Sequence, residues 1–396
     1  MKFDIVIIGG GMVGAALACA LKPLSLRVAL VDAAEKTMTD DPRLIALNYG
    51  SICLLKNLHV FEKLTSHAEA IHEVHVSHRG HFGSVRIKAD ELNLSSLGAV
   101  IPAKNINLAL EEMMQQTSAQ FIRPAKLIEL VEEKNSIHLT LETPAGKKSI
   151  ETAMVVAADG SYSTVRNLLA IPTEKHDYKQ SALVTIVELK RPHRGVAYER
   201  FLNDGAVAML PLTGGRCASI WTASQEKITS LMQLSDLDFL QQLQNEFGLR
   251  LGRFSSAAER FVFPLQLMRA KKSAHPRVVL IGNAAHTVHP LAAQGFNLAL
   301  HEVAALAQML GEKPFDQIDL QEFTQHSFSQ TLNMKLSHGL NSLFAIDFLP
   351  INIIRQISMV GMGIFGILKS RFAAYPVGRS GRIPRLLLDQ ESVENA

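Results

Sequence analysis

The chain opens on an apolar run that changes period. Residues 3–8 form a continuous β-rich stretch, a glycine turn follows, and residues 12–21 have the small apolar composition of a buried helix. A second apolar strand over 27–31 ends on Asp32, which completes a β–α–β beginning. The uncharged run 5–21 is as long as a signal-peptide core. Gly9, Gly10, Gly11 and Gly14 interrupt it and only Lys2 precedes it as a basic residue, so it reads as folded structure. Residues 42–64 read as mostly helical, and 105–116 as a helix with Ile106, Leu110 and Met113 on one face. Alternation over 137–141, a turn at Pro144-Ala145-Gly146 and a resumed strand at Ser149 predict a hairpin, with a doubly buried strand at 154–158. From 181 to 267 the texture becomes short strands (182–189, 206–210, 218–222) split by turn residues, then a helix over 236–247. Residues 278–281 restore a buried strand, 295–310 form a long helix, and the remainder is helical and apolar. The pattern predicts an α/β chain: a Rossmann-like domain, an inserted mostly antiparallel β-sheet domain, and a helical C-terminal segment.

Composition narrows the classes. A chain of 396 residues exceeds one ordinary core, and 47% hydrophobic against 19% charged residues excludes a disordered chain. Forty Lys+Arg against thirty-seven Asp+Glu leave a net charge of +3 with no dense basic stripe, so no nucleic-acid partner is expected. Cys19, Cys53 and Cys217 are scattered, which suits a reducing cytoplasm better than a disulfide framework. Between Leu336 and Leu368 only Asp347 and Arg355 carry formal charge, besides the titratable His338. Those charges cut the stretch into pieces shorter than the roughly 20 residues a spanning helix needs. A seat on a membrane surface and a packed helical cap both remain open for it.

Three motifs carry chemistry. Gly9-Gly10-Gly11-Met12-Val13-Gly14 is a GxGxxG between a strand and a helix: Gly9 for the turn, Gly11 for approach to a pyrophosphate, Gly14 for helix–strand packing. Asp32 ends the next strand, where it can accept hydrogen bonds from a ribose. The second motif, residues 156–166, delivers an Asp159-Gly160 turn into a helix. In the third, Gly282-Asn283-Ala284-Ala285 follows a strand, then come His286, His289, Pro290 and a helix start near Gln294, Gly295 and Asn297. Helix N-terminal amides there suit the negative edge of a reduced flavin. His286 and His289 have HxxH spacing without a carboxylate or cysteine nearby in sequence to complete a ligand set, so no metal is expected.

The order GxGxxG, DGxxSxVR, GNAAHxxHP…QGxN closely resembles the FAD-dependent aromatic hydroxylases, the single-component flavoprotein monooxygenases, over about residues 1–310. Residues 43–47, 74–81, 198–201 and 208–211, with Asn283 in place of the wider family's Asp, resemble its ubiquinone-biosynthesis branch, nearest to hydroxylases acting at ring position C4. The resemblance implies FAD held by Gly9, Gly11, Gly14, Asp32, Arg43, Asp159, Gly282, Asn283, Gln294, Gly295 and Asn297. It implies His289 and Pro290 beside the reacting centre, His289 being the nearest candidate base. NAD(P)H would be a transient electron donor, O2 would yield a flavin C4a-hydroperoxide, and a polyprenylated phenol would be the substrate. Other quinone-biosynthesis enzymes and the inner face of the membrane are implied partners of a cytoplasmic, peripheral protein. A different aromatic substrate, or a non-catalytic FAD-stabilised subunit, are the alternatives. Residues 1–72, 101–178 and 272–335 would form the FAD-binding domain, 73–100 and 179–271 the substrate domain, and 336–396 the C-terminal region. Ala293 and Glu302 depart from the branch's usual glycine and aspartate.

Overall fold

A computed structural model describes residues 1–36, 40–81, 83–287, 294–323 and 383–389. The expected N-terminal unit forms around a parallel core. Strand Lys2–Ile8 lies between Val28–Val31 and Gly146–Ala157, with Gln120–Ile122 and Val278–Leu280 extending the sheet on either side. The central stretches 5–8, Val28–Val31, 154–157 and Val278–Leu280 are apolar because helices Met12–Ala20, Ala103–Met114 and Gln294–Glu312 pack one face and a β-hairpin layer packs the other. Strand Gly146–Ala157 serves two neighbourhoods. Its first half pairs antiparallel with Ile137–Thr143 across the Pro144-Ala145 turn, and its second half runs parallel to Lys2–Ile8.

The inserted region is a nine-stranded, mostly antiparallel sheet. Its order runs His286–Thr287, Phe261–Ala270, Thr173–Leu189, Arg216–Ser224, Gly205–Leu212, Val196–Leu202, Glu73–His78, Ser84–Lys88, and Phe254–Ala257 joins Thr173–Leu189 as a branch. Val196–Leu202 and Glu73–His78 make a parallel pair, so two stretches far apart in the chain meet in one sheet. The outer face buries Trp221, Val207 and Met209 under helices Gln225–Met232 and Asp236–Phe247. Trp221 and Phe239 are essentially dry, and each full burial of a large apolar side chain contributes about 1.5–3 kcal/mol. The inner face packs on helix Tyr49–Asn57 and a three-stranded sheet of Leu44–Asn48, Gly98–Pro102 and Glu69–Ile71.

One expectation fails here. Residues 42–64 are not helical throughout: Leu44–Asn48 is a strand, paired with Gly98–Pro102. Asn48 then ends it, its side chain accepting from Ser51 N at 2.8 Å as the N-cap of Tyr49–Asn57. Of the C-terminal segment expected to be helical, residues 383–389 are described; they carry a short 3-10 turn at Arg385–Leu387 that clasps the first unit. Asn57 donates to the carbonyls of Leu386 and Leu388, and Tyr49 hydrogen-bonds Asp389 at 2.8 Å. The rest of 336–396 lies outside the described residues. Among the described residues no helix is long and apolar enough to cross a membrane.

Candidate active site

The glycine turn is built by contacts that exclude side chains. Gly9 sits at φ +104, and a Cβ there would stand 2.5 Å from the Ala158 carbonyl oxygen. A Cβ on Gly14 would stand 1.9 Å from the Gly9 carbonyl oxygen, and one on Gly10 2.7 Å from a carboxylate oxygen of Asp32. Gly11 differs: it is exposed, extended, and nothing lies within 4 Å of its Cβ position. The N-terminus of helix Met12–Ala20 therefore has clear space beside Gly11, and an arrangement of this kind can receive a diphosphate. Asp32 pins the turn by accepting the Gly10 N–H, and its other oxygen accepts Ala34 N at 2.7 Å. Gly10 thus proves as constrained as the glycines singled out by sequence.

Asp159 comes against Gly9 at the end of the neighbouring strand. Its Oδ2 accepts from Thr164 N (2.7 Å) and Val165 N (3.2 Å), while Oδ1 is buried and finds no partner among the described residues. A buried unpartnered carboxylate oxygen costs about 1–3 kcal/mol or more, so this position suits a donor supplied from outside the chain, as a hydroxyl-bearing cofactor would supply. Arg166, a residue to which sequence reading assigned no role, is buried and fastens this motif to the next. Its guanidinium donates to Ser161 O at 2.6 Å and Ala284 O at 2.8 Å.

The third motif forms a tight turn at Gly282, with φ +57. Gly282 N donates to Glu302 Oε2 at 2.8 Å, and Glu302 Oε1 lies 2.7 Å from His286 Nε2. Both side chains are buried. Burial alone would lower the His286 pKa, but the Glu302 charge and hydrogen bond outweigh it and raise the value. His286 is therefore half of an ion pair that fixes the cradle, and its carboxylate comes from a helix 16 residues on. Among the described residues, no three His, Cys, Asp or Glu side chains gather as a metal site.

Asn297, in the first turn of helix Gln294–Glu312, accepts from Asn48 N at 2.9 Å and donates to Ala46 O at 2.8 Å. Its amide ties the helix to strand Leu44–Asn48, leaving the helix N-terminal backbone amides at Gly295 for a cofactor. Arg43, at the foot of that strand, engages Asp41 through Nε (2.8 Å) and Nη2 (2.5 Å) while its side chain stays 47% exposed. Asn283 is exposed beside Gly282. Gly9, Asp159, Gly282 and Asn297 thus lie on segments fastened to one another at the strand ends. His289 and Pro290 lie outside the described residues, and so does the side chain of Gln294.

A Rossmann-type sheet with this glycine turn, carboxylate and cradle, roofed by an antiparallel sheet, defines an FAD-dependent enzyme of the aromatic-hydroxylase fold. Residues 2–314 match the FAD binding domain family, and the chain belongs to it. An uncharacterized Synechocystis protein is 30% identical over 99% of this chain and 97% of its own length. The ubiquinone hydroxylase UbiL of Rhodospirillum rubrum is 29% identical over 95% of this chain and 89% of its own. Among solved structures, p-nitrophenol 4-monooxygenase from Pseudomonas putida superposes with a TM-score of 0.77 at 16% identity, covering 96% of this chain and 100% of that one.

Proposed function

We propose that this protein hydroxylates a polyprenylated phenol in ubiquinone biosynthesis, with FAD, O2 and NAD(P)H. The observation that carries the reading is the inner face of the nine-stranded sheet. Val184, Ile186, Leu210 and Ile220 present a half-buried apolar surface on the side where the strand tethered to the cofactor cradle packs. Such a surface suits a flat ring with a hydrocarbon tail. The likeness to a ubiquinone hydroxylase over nearly the whole chain supports the same substrate class.

When bound, FAD supplies the redox and oxygen chemistry. The chain's own residues hold and orient it: the amides after Gly11 at the diphosphate, Asp32 at the ribose, Asp159 and Gly282–Asn283 along the linker, and the helix start at Gly295 by the ring. Residues 1–72, 101–178 and 272–335 serve the cofactor in this reading, and 73–100 with 179–271 cover the substrate. In this reading the nicotinamide donor visits transiently. The apolar segment after Leu336 rests on the inner face of the membrane, where the substrate's tail dissolves.

Purified protein loaded with FAD, given NADH or NADPH and phenols of increasing prenyl length, is the test. Donor oxidation that depends on both O2 and a prenylated phenol, with a new ring hydroxyl by mass spectrometry, is expected. Donor oxidation indifferent to every phenol would reject the reading. Deleting residues after Ser337 should abolish partition onto vesicles of anionic lipid, and unchanged partition would reject the membrane role.

A further inference from the structure

Strand Val196–Leu202 carries one carboxyl on the inner face of the large sheet. Ala197 lies on that face, within the cluster that also holds Tyr49, Cys53 and Val100, whereas Tyr198 packs on the opposite, helix-covered side. Glu199 is two positions from Ala197 and shares its face by strand alternation. Across the sheet Glu199 stands level with Val76 and then Val85 on one side, and with Ala208, Ile220, Val184 and Phe261 on the other. A seven-strand row of otherwise apolar side chains therefore contains a single ionisable group. Such a placement works against folding unless something else keeps it.

Among the described residues the carboxyl forms no ion pair, and burial is the cause of its raised pKa. Glu199 Oε1 is shut off from solvent and has no hydrogen-bond partner among the described residues. Burial pushes its pKa up to about 7. Four titratable groups on the elements around this face are Tyr49, His78, Cys53 and Glu69. Tyr49 bonds Asp389, the His78 Nδ1 meets the Arg79 carbonyl, Cys53 is buried in the helix Tyr49–Asn57, and Glu69 belongs to the strand Glu69–Ile71. The inner face meets Leu44 and Ala46, and the Ala46 carbonyl is held by Asn297 at the start of the cradle helix. The face that carries Glu199 thus packs against the strand that Asn297 ties to the cradle helix.

We propose that Glu199 is a catalytic residue that receives the hydroxyl of the phenol substrate, holding the ring over the cradle and accepting its proton. This rests on the phenol hydroxylation proposed above. The O–H bond of the phenol breaks, a new O–H bond forms on the Glu199 carboxylate, and the electron pair stays on the phenolate oxygen. That raises electron density at the ring carbons ortho and para to it, where one oxygen of O2 attaches as an electrophilic hydroxyl while the O–O bond breaks; the other oxygen leaves as water, with the two electrons supplied by NAD(P)H. The displaced ring hydrogen leaves as a proton to water, and Glu199 returns its own proton to the product phenolate. A carboxyl that titrates near neutrality exchanges a proton in both directions without a large barrier.

The test uses FAD-loaded full-length protein, Glu199→Gln and Glu199→Leu, with a phenol bearing one isoprene unit as the probe. Flavin content and absorption spectrum show that each variant keeps its cradle. For Glu199→Gln we expect kcat for hydroxylation to fall by about 100-fold, as loss of a general base does. Donor oxidation should divert to hydrogen peroxide, and the rise in wild-type rate through pH 7 should disappear. Glu199→Leu should in addition lose the phenol-induced change in the flavin spectrum. Wild-type rate, coupling and pH profile in Glu199→Gln would overturn the assignment. If the wild type itself hydroxylates no phenol, the substrate reading fails, and the spectral change on phenol binding still decides Glu199: its loss in Glu199→Leu supports the contact, and its persistence overturns it.

Discussion

At the scale of single residues, buried charge is the feature with most consequence. Glu302 satisfies two donors at once, the Gly282 amide and His286, and both bonds shape the cradle turn. Glutamine at 302 keeps one acceptor oxygen and cannot serve both, so Glu302→Gln should destabilise by about 3 kcal/mol. The raised pKa of His286 sets the sign of the pH dependence. The pair's contribution is fully present below the unfolded histidine value and fades as pH rises through the elevated folded one. Urea midpoints of wild type and Glu302→Gln should therefore lie further apart at pH 6 than at pH 9. An equal gap at both would remove the ion pair from the account. Glu199 behaves oppositely. Its carboxyl pKa is raised to about 7, so the folded state binds a proton the unfolded chain has released, and stability falls between the ordinary carboxylate range and pH 7. Glu199→Gln should thus be more stable than wild type at pH 8 by about 3 kcal/mol and indistinguishable at pH 4, by the same unfolding assay. These roles were hidden in the sequence because each depends on a partner, or a lack of one, fixed by tertiary contact: Glu302 lies 16 residues beyond His286, and nothing local marks Glu199 as lone.

At the scale of elements, local pattern is a good guide where chain neighbours dictate structure and fails where distant chain does. The first strand, glycine turn and helix emerge nearly residue for residue, since the turn is closed by backbone packing within that unit. Helix Asp236–Phe247 is equally plain, with Ser235 as its cap accepting Asp238 N at 3.2 Å. Leu44–Asn48 is not, because Leu-Ile-Ala-Leu suits a helix until Gly98–Pro102, half a hundred residues away, provides a ladder. The glycine turn separates two functions by experiment. Gly14→Ala places a Cβ against the Gly9 carbonyl, overpacks the unit and should destabilise the apoprotein by about 1–3 kcal/mol. Gly11→Ala meets no protein atom, so the apoprotein's urea midpoint should stay unchanged while the methyl intrudes on the diphosphate space and FAD retention drops at least tenfold. Equal FAD retention in Gly11→Ala and wild type would show that the diphosphate does not approach this amide.

On the scale of the whole molecule, the cofactor site is assembled from chain segments that folding alone brings together. Gly9 to Gly14, Asp32, Asp159, Gly282 and Asn297 span nearly 290 residues, and each is anchored to another segment: Gly10 to Asp32, Arg166 to Ala284, Asn297 to Ala46. The unfolded chain scatters these groups and has no comparable affinity for a dinucleotide. FAD therefore stabilises the native state by mass action, about 2.7 kcal/mol at a hundredfold excess over its Kd. Because Asn297 and Arg166 fasten the cradle to the strand beneath the large sheet and to the neighbouring motif, that stabilisation should reach both units rather than the Rossmann-type unit alone. Thermal unfolding of the apoprotein and of protein with excess FAD, followed by Trp221 fluorescence, is the decisive measurement. Trp221 is the only tryptophan and is buried in the outer core of the nine-stranded sheet, remote from the glycine turn. Its transition should move up by several degrees with FAD, in step with the far-ultraviolet circular dichroism. A tryptophan transition that ignores FAD while the circular dichroism shifts would mean that the sheet and the cofactor unit unfold independently, and that the tethers through Asn297 and Arg166 do not couple them.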